Sequence, residues 1–391
     1  MKEKAKPEGS LISYFSNLVK KEGGINLAQG TPGFFPPPLL LQTLEAAAQN
    51  PSLHQYAPGS GNFQLLDLIR LAYTPVAPIE PDNILIVQGA TEGIFLSFFY
   101  LTTLLARPFA ALSFDPVYES YPVLANMFGI PFFYGHLGQN LSVDFWELEK
   151  TIEEQNVKVV FIASPGNPLG KVWTREELEK LLALSKQYEF YILFDAVYNE
   201  IYFNQPPFNP LSFQDERLFY INSFSKTLGI TGWRIGYLIT HRDHMKHIRE
   251  KHDYTGLCAP SVLQSTIASY LANSEFGKDY SQTIRLKCQQ SYNYMKGILT
   301  PLGFNVVSSE GGYFLWAQLP ASIEDAFSFA LDLYERKRVA VVPGENFSPW
   351  HTNYIRMNIA VDMPIIEETA QRIINFCQQP THELQIPGGL L

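Results

Sequence analysis

Three cysteines in 391 residues, at positions 258, 288 and 377, are too few and too scattered for a disulfide framework or a CxxC metal site. A reduced, cytoplasmic setting and no metal are the expectations. A basic surplus is missing as well. The 29 Lys and Arg face 38 Asp and Glu, a formal charge of -9, which speaks against nucleic acid or an anionic membrane as a main partner. The uncharged stretch between Glu92 and Arg107 holds fourteen residues, short of the roughly 20 that a membrane-spanning helix needs, and reads as a buried core helix. Lys2, Lys4 and Lys6 open the chain, but no apolar run follows them, so no signal peptide is expected. Internal repeats and low-complexity linkers are also lacking.

The composition that remains, 46% hydrophobic and 17% charged, is that of an ordinary globular protein. Its length favours two domains. From about residue 84 to 240, short apolar runs alternate with amphipathic segments. Ile84-Val87, Ala110-Phe114, Val159-Ala163, Tyr191-Phe194, Leu218-Asn222 and Ile235-Ile239 read as buried strands. One helix between them opens on Thr174-Arg175-Glu176-Glu177, a capping box, and carries Leu178, Leu181 and Leu182 on one face. This alternation predicts an α/β fold with a mainly parallel sheet covered by helices, and ligands in such sheets bind at the strands' carboxyl ends. Residues 241–296 read as mostly helical. Phe304-Val307, Tyr313-Ala317, Val339-Val342 and Tyr354-Asn358 then read as strands, with helices near 322–336 and 363–377. That is a smaller α+β domain. The expected division is 45–285 for the large domain, with 1–44 and 286–391 forming the small one.

The richest segment runs Ser223-Phe224-Ser225-Lys226-Thr227-Leu228-Gly229-Ile230-Thr231-Gly232-Trp233-Arg234. Ser223, Ser225 and Arg234 suit a phosphate dianion, and Lys226 suits imine formation with an aldehyde beside it. Asp195 follows the strand Tyr191-Phe194 and could hold a pyridine nitrogen protonated, with Tyr198 within reach of a ring oxygen; alone, it reads more readily as a cap of the next helix. Asn167, in Ser164-Pro165-Gly166-Asn167-Pro168, could donate to that ring oxygen or simply form a turn. Gly89-Ala90-Thr91 opens the apolar helix with free N–H groups suited to phosphate. Tyr118 could stack on a ring or be a half-buried helix residue. Tyr56 lies in the loop Tyr56-Ala57-Pro58-Gly59-Ser60-Gly61. Arg356 is a lone charge in an apolar strand, and must pair with a substrate carboxylate or a structural one.

This ordered set resembles the class I/II aminotransferases, the fold-type I pyridoxal-phosphate enzymes. The resemblance runs from the loop Asn26-Leu27-Ala28-Gln29-Gly30-Thr31-Pro32-Gly33 to Arg356, and the Lys226 string is its most specific part. The family pattern has Thr where this chain has Leu169. The resemblance implies a seven-stranded, mainly parallel sheet, pyridoxal 5'-phosphate held by Lys226, and a homodimer in which Tyr56 reaches the neighbouring subunit's phosphate. It implies that Arg356 and Asn167, with a donor from the Gly30 backbone, fix a substrate α-carboxylate. It further implies that Lys226 carries the Cα proton, and that an amino group passes between an L-amino acid and a 2-oxo acid by ping-pong chemistry.

The same residues would serve a β-lyase acting on cysteine conjugates or cystathionine. A ligand-sensing regulator is disfavoured by the acidic charge and by the short segment ahead of Gly30. Tyr14, Phe15, Phe34 and Phe35 fall in the N-terminal region that faces substrate in the family, and no second cation can be assigned for a dicarboxylate. Neutral or aromatic amino acids are therefore the expected substrates.

Overall fold

The computed structural model describes residues 6–378; Lys2 and Lys4, and the last part of the expected small domain at 379–391, lie outside the described residues. Seven strands form the main sheet: β1 (Ile84–Val87), β2 (Ala110–Asp115), β3 (Phe132–His136), β4 (Val157–Ala163), β5 (Tyr191–Asp195), β6 (Leu218–Ser223) and β7 (Gly236–Ile239). Their spatial order is β1-β7-β6-β5-β4-β2-β3. All neighbours run parallel except β7, which is antiparallel to both β1 and β6. Six of the seven answer to the apolar runs of the sequence. The seventh, β3, does not, because it is an edge strand whose residues are only partly buried.

The strands read as continuous apolar runs because both faces are covered. Along β4, Val159 and Phe161 point into one core while Val160 and Ile162 point into the other. The uncharged stretch is the helix Ala90–Leu104, which buries Ile94, Phe98 and Leu101 against the first face. Among the described residues, no helix is long and apolar enough to cross a membrane.

A second sheet is antiparallel throughout: β8 (Asn305–Val306), β9 (Phe314–Gln318), β10 (Val342–Pro343) and β11 (Tyr354–Asn358), in the order β10-β11-β9-β8. The run Val339-Val342, expected as one strand, is divided. Val339–Ala340 pairs in parallel with Ile25–Asn26, and Val342–Pro343 pairs with β11. The segment changes partner sheets at Val341, and apolarity alone does not record such a change. The helix Lys278–Leu299 passes the expected boundary at 285 without a break.

The capping box forms with both of its bonds. Thr174 Oγ1 accepts from the Glu177 N–H at 3.2 Å, and a Glu177 carboxylate oxygen accepts from the Thr174 N–H at 3.0 Å. Glu177 also receives Lys171 Nζ at 2.8 Å. The loop between β4 and this helix is closed by Gly166 N–H to Lys171 carbonyl (3.0 Å) and Gly170 N–H to Gly166 carbonyl (2.7 Å). Gly170 has φ +69°, and a Cβ there would lie 1.9 Å from Ser309 Oγ, so only glycine fits. Asn167 is held in that loop.

Candidate active site

The parallel strands deliver their functional groups at their carboxyl ends. Asp195 is the last residue of β5, Ser223 the last of β6, and Lys226 sits on the single helical turn Phe224–Thr227 that follows. Ser223 makes that turn: its hydroxyl accepts from the Ser225 N–H at 3.0 Å and lies 2.8 Å from Ser225 Oγ and 3.0 Å from the Ile235 carbonyl. From the other sheet, Arg356 projects from the middle of β11. Together these groups line a cavity of about 260 Å³. Larger cavities exist, one of about 570 Å³, but that one shares only Ser223 with this group, so size does not mark the site.

Lys226 Nζ donates to the Gly30 carbonyl at 2.7 Å. Burial, with help from Arg356 and Arg234 and against Asp195, brings its ammonium down from 10.5 to about 8. The amine is therefore free at a pH where a solvated lysine stays charged. Asp195 is buried and its carboxyl is pushed up by desolvation. Tyr121 donates to one of its oxygens at 2.9 Å and the Val197 N–H reaches the other at 3.2 Å. Neither partner is a cation, so this carboxylate is set to receive one.

Arg356 is 1% exposed, and its guanidinium carbon lies 4.2 Å and 4.7 Å from the ring centroids of Phe314 and Phe347. It donates to the Ala28 carbonyl and, at 3.1 Å, to Asn167 Oδ1. Its Nε has no acceptor among the described residues. Desolvation draws it down to about 10, still charged at neutral pH. A buried guanidinium with only neutral partners and an idle N–H suits an incoming carboxylate.

Arg234 stands in the left-handed region at φ 56° and donates to the Thr231 and Gln88 carbonyls at 3.0 and 3.2 Å. Gly89 makes room for it, since a Cβ there would come 2.2 Å from Nη2. Beside this guanidinium the helix Ala90–Leu104 begins, and its first N–H groups have no intrahelical partners. An arginine, a hydroxyl at Ser225, Thr91 and free N–H groups form a cradle with the chemistry of a phosphate site. The buried carboxylate of Asp195 suits a pyridinium, and the lowered amine of Lys226 suits an aldehyde. The residues present thus fit pyridoxal phosphate.

Of the residues expected from sequence, Gly30, Ala90, Thr91, Tyr118, Asn167, Asp195, Tyr198, Ser223, Ser225, Lys226, Arg234 and Arg356 line the cavity. Gly89 stands behind Arg234. Tyr56 is 83% exposed and lies outside this chain's cavity. Gly30 presents its carbonyl to Lys226 and to the Tyr313 hydroxyl (2.9 Å). None of Tyr14, Phe15, Phe34 and Phe35 lines this chain's cavity. Phe15 packs on Phe327 and Tyr14 on both, Phe34 is buried beneath Lys287, and Phe35 is 86% exposed. The cavity's aromatic walls are Tyr118, Tyr121, Tyr198 and Phe314. Sequence reasoning passed over Tyr121, Glu119 and Tyr313. Tyr121 had a signal, three positions beyond Tyr118 on a helical path.

A family model described as aminotransferase class I and II matches residues 22–373. A probable N-acetyl-LL-diaminopimelate aminotransferase of Bacillus subtilis is 29% identical over 388 residues, covering 97% of this chain and 95% of that protein. An aspartate aminotransferase of Thermotoga maritima is 29% identical, covering 92% and 93%. Among solved structures, N-succinyldiaminopimelate aminotransferase from Mycobacterium tuberculosis aligns with a TM-score of 0.86 at 25% identity, covering 94% of this chain and 97% of that one. The solved Thermotoga maritima aspartate aminotransferase aligns with a TM-score of 0.83 at 27% identity, covering 94% and 96%.

Proposed function

The chain belongs to the class I and II aminotransferases, and from that premise we propose that it moves an amino group between a neutral or aromatic L-amino acid and a 2-oxo acid, using pyridoxal phosphate held by Lys226. The observation that carries this reading is one cavity holding a lysine lowered to about 8, a buried carboxylate without a cation and a buried arginine without a carboxylate. Bound there, pyridoxal phosphate supplies an aldehyde that takes up the amino group and a pyridinium ring that withdraws the electron pair left at Cα.

The chain's own residues do the rest. Asp195 keeps the ring nitrogen protonated by direct charge pairing, and Tyr121 and Val197 keep Asp195 oriented. Asn167, whose Oδ1 is occupied by Arg356, has Nδ2 left to donate toward the ring oxygen, and Tyr198 flanks the same place. Arg234, Ser223, Ser225, Gly89, Ala90 and Thr91 hold the phosphate. Arg356 fixes the α-carboxylate, so Cα is presented to Lys226. The Lys226 amine, whose ammonium is brought down to about 8 by burial, takes the Cα proton and returns it on the far side of the reaction. Tyr118 covers the ring. We assign residues 45–285 to the cofactor-binding domain and, of the described residues, 6–44 with 286–378 to the small one. Tyr56, exposed on one chain, would close the phosphate pocket of a second copy in a homodimer.

Three cations line the cavity, Lys226, Arg234 and Arg356, and each has a use in this scheme. Among the described residues of this chain none is left for a second substrate carboxylate, which supports neutral or aromatic side chains. The test is reconstitution. The protein should turn yellow with the cofactor and transfer the amino group from some members of an amino-acid panel to a 2-oxo acid. A protein that stays colourless overturns the reading, as does one that releases only pyruvate and ammonia.

A further inference from the structure

Five charged side chains line the cavity: Lys226, Arg234, Arg356, Asp195 and Glu119. The proposed chemistry uses the first four and leaves Glu119. We propose that Glu119 is a specificity-determining residue whose carboxylate receives a hydrogen-bond donor at the end of the substrate side chain, an ammonium above all, and turns away a second carboxylate. This rests on the aminotransferase reading and narrows it. The neutral class contracts to side chains bearing an amide or hydroxyl donor, and extends to those ending in an amine.

The ordinary uses of such a glutamate do not account for it. It occupies the N-cap position of the helix Ser120–Met127 yet makes no side-chain capping bond. Among the described residues it forms no ion pair, and the Ser10 hydroxyl, at 2.8 Å from Oε1, is the one side chain that donates to it. Ser10 in turn caps the helix Leu11–Glu22, on which Ile12 reaches the same cavity. Glu119 is thus braced from the N-terminal segment, with acceptor capacity to spare.

Its placement matches a side-chain subsite. It follows Tyr118, which flanks the cofactor position. Its charge is felt by Arg356, the proposed α-carboxylate anchor, and by Tyr118. A substrate fixed by Arg356 therefore extends its side chain along a wall of Ile12, Tyr118 and Phe314 that carries one negative charge. A hydrogen bond from an ammonium to a carboxylate is among the stronger ones available in a partly buried site, whereas two carboxylates would repel.

The experiment uses the enzyme loaded with pyridoxamine 5'-phosphate, which has no aldehyde for an ω-amine to react with, and carboxylates that lack an α-amine, so binding is read without turnover. Calorimetry compares 5-aminopentanoate and 6-aminohexanoate with pentanoate and hexanoate, and with glutarate and adipate. The aminoalkanoate of best length should bind roughly tenfold or more tighter than its alkanoate. Glu119→Gln should erase that preference while leaving alkanoate binding unchanged, which also shows that the variant is folded. Glu119→Lys should reverse it in favour of the diacids. Equal binding of amino- and plain alkanoates by the native enzyme overturns the proposal, as does a preference for diacids or a preference that survives Glu119→Gln. The aminotransferase reading is scored separately: its failure would appear as no transfer from any amino acid, whatever the carboxylates do.

Discussion

The two sheets bring charge to one cavity by opposite means. The parallel sheet keeps its strands apolar and places chemistry just past their ends: Asp195, Ser223, the turn bearing Lys226, the loop bearing Asn167. The antiparallel sheet puts Arg356 inside a strand, paired across to Trp316 and Val342. A strand-end residue can change without disturbing the ladder. A charge in mid-strand is desolvated by the fold itself. The same burial that lifts Asp195 lowers Arg356, and each stands ready for a group of opposite charge that the chain does not supply. The difference predicts that losses at strand ends are losses of chemistry alone, while Arg356 trades stability for function.

The largest effect belongs to Lys226. Lys226→Ala should lower kcat on the order of 10⁴-fold, since both the imine and the proton carrier are gone, with the unfolding midpoint of the cofactor-free protein no lower than the parent's, because the desolvated amine is removed. A large loss of stability would break the strand-end half of the comparison. The amine also offers a pH test in the cofactor-free protein. Its modification by an amine-selective reagent should rise through about pH 8, where a solvated lysine would need 10.5. The sign for stability follows. Between those values the unfolded chain binds more protons than the folded one, so stability rises with pH across that window as far as Lys226 contributes.

Arg356→Met comes next and should separate the two quantities. Loss of the bidentate anchor should reduce kcat/KM by on the order of 10²–10³-fold, mostly through KM. Yet the cofactor-free variant should be at least as stable in urea as the parent, because an apolar side chain of similar length escapes the desolvation cost. Destabilisation by several kcal/mol would mean that the Ala28, Asn167 and ring contacts outweigh that cost, and the trade would not exist.

Tyr121→Phe should act more mildly. It removes one hydrogen bond from Asp195, worth about 1 kcal/mol, and so lowers kcat roughly fivefold. Burial already raises the Asp195 carboxyl and the Tyr121 hydroxyl opposes that rise. Without Tyr121 the carboxyl climbs further, and the acid limb of the pH–rate profile should move to higher pH. An unmoved limb would argue that Tyr121 only packs.

The comparison also explains what the sequence disclosed. Strands buried on both faces are legible because every residue is apolar, and the groups at their ends stand out against that background. That is why Lys226 stands out from its local string, while Asp195 and Asn167, each open to a capping or turn role alone, gain meaning only from the ordered set and its family resemblance. The edge strand Phe132–His136 was missed because partial burial blurs its pattern. Val339–Val342 was misdrawn because pairing partners, not composition, divide it. Glu119 and Tyr121 were passed over for a related reason. Their roles come from which elements meet, the N-terminal helix in one case and β5 in the other, and such meetings leave no local mark. The aromatic residues at 14, 15, 34 and 35 drew attention because the family resemblance puts the N-terminal region at the substrate, but the fold spends Phe15 and Phe34 on packing and leaves Phe35 86% exposed.

The smallest predicted effect probes how far a strand-end loop depends on its supports. Thr174→Ala removes the side-chain half of the capping box and should cost about 1 kcal/mol of stability. Thr174 is linked to the loop bearing Asn167 through Glu177, which holds Lys171 at 2.8 Å, and through the Lys171 carbonyl, which accepts from the Gly166 N–H. If that route positioned Asn167, activity would fall with stability. Three hydrogen bonds argue otherwise. The loop is closed by backbone bonds at Gly166 and Gly170, and Asn167 is held from the other sheet by Arg356. The expected result is therefore a lower unfolding midpoint with kcat and KM within twofold of the parent. A matched fall in kcat would show that the active-site end of β4 is set by the helix that follows it, and would weaken the claim that strand-end sites are insulated from the fold behind them.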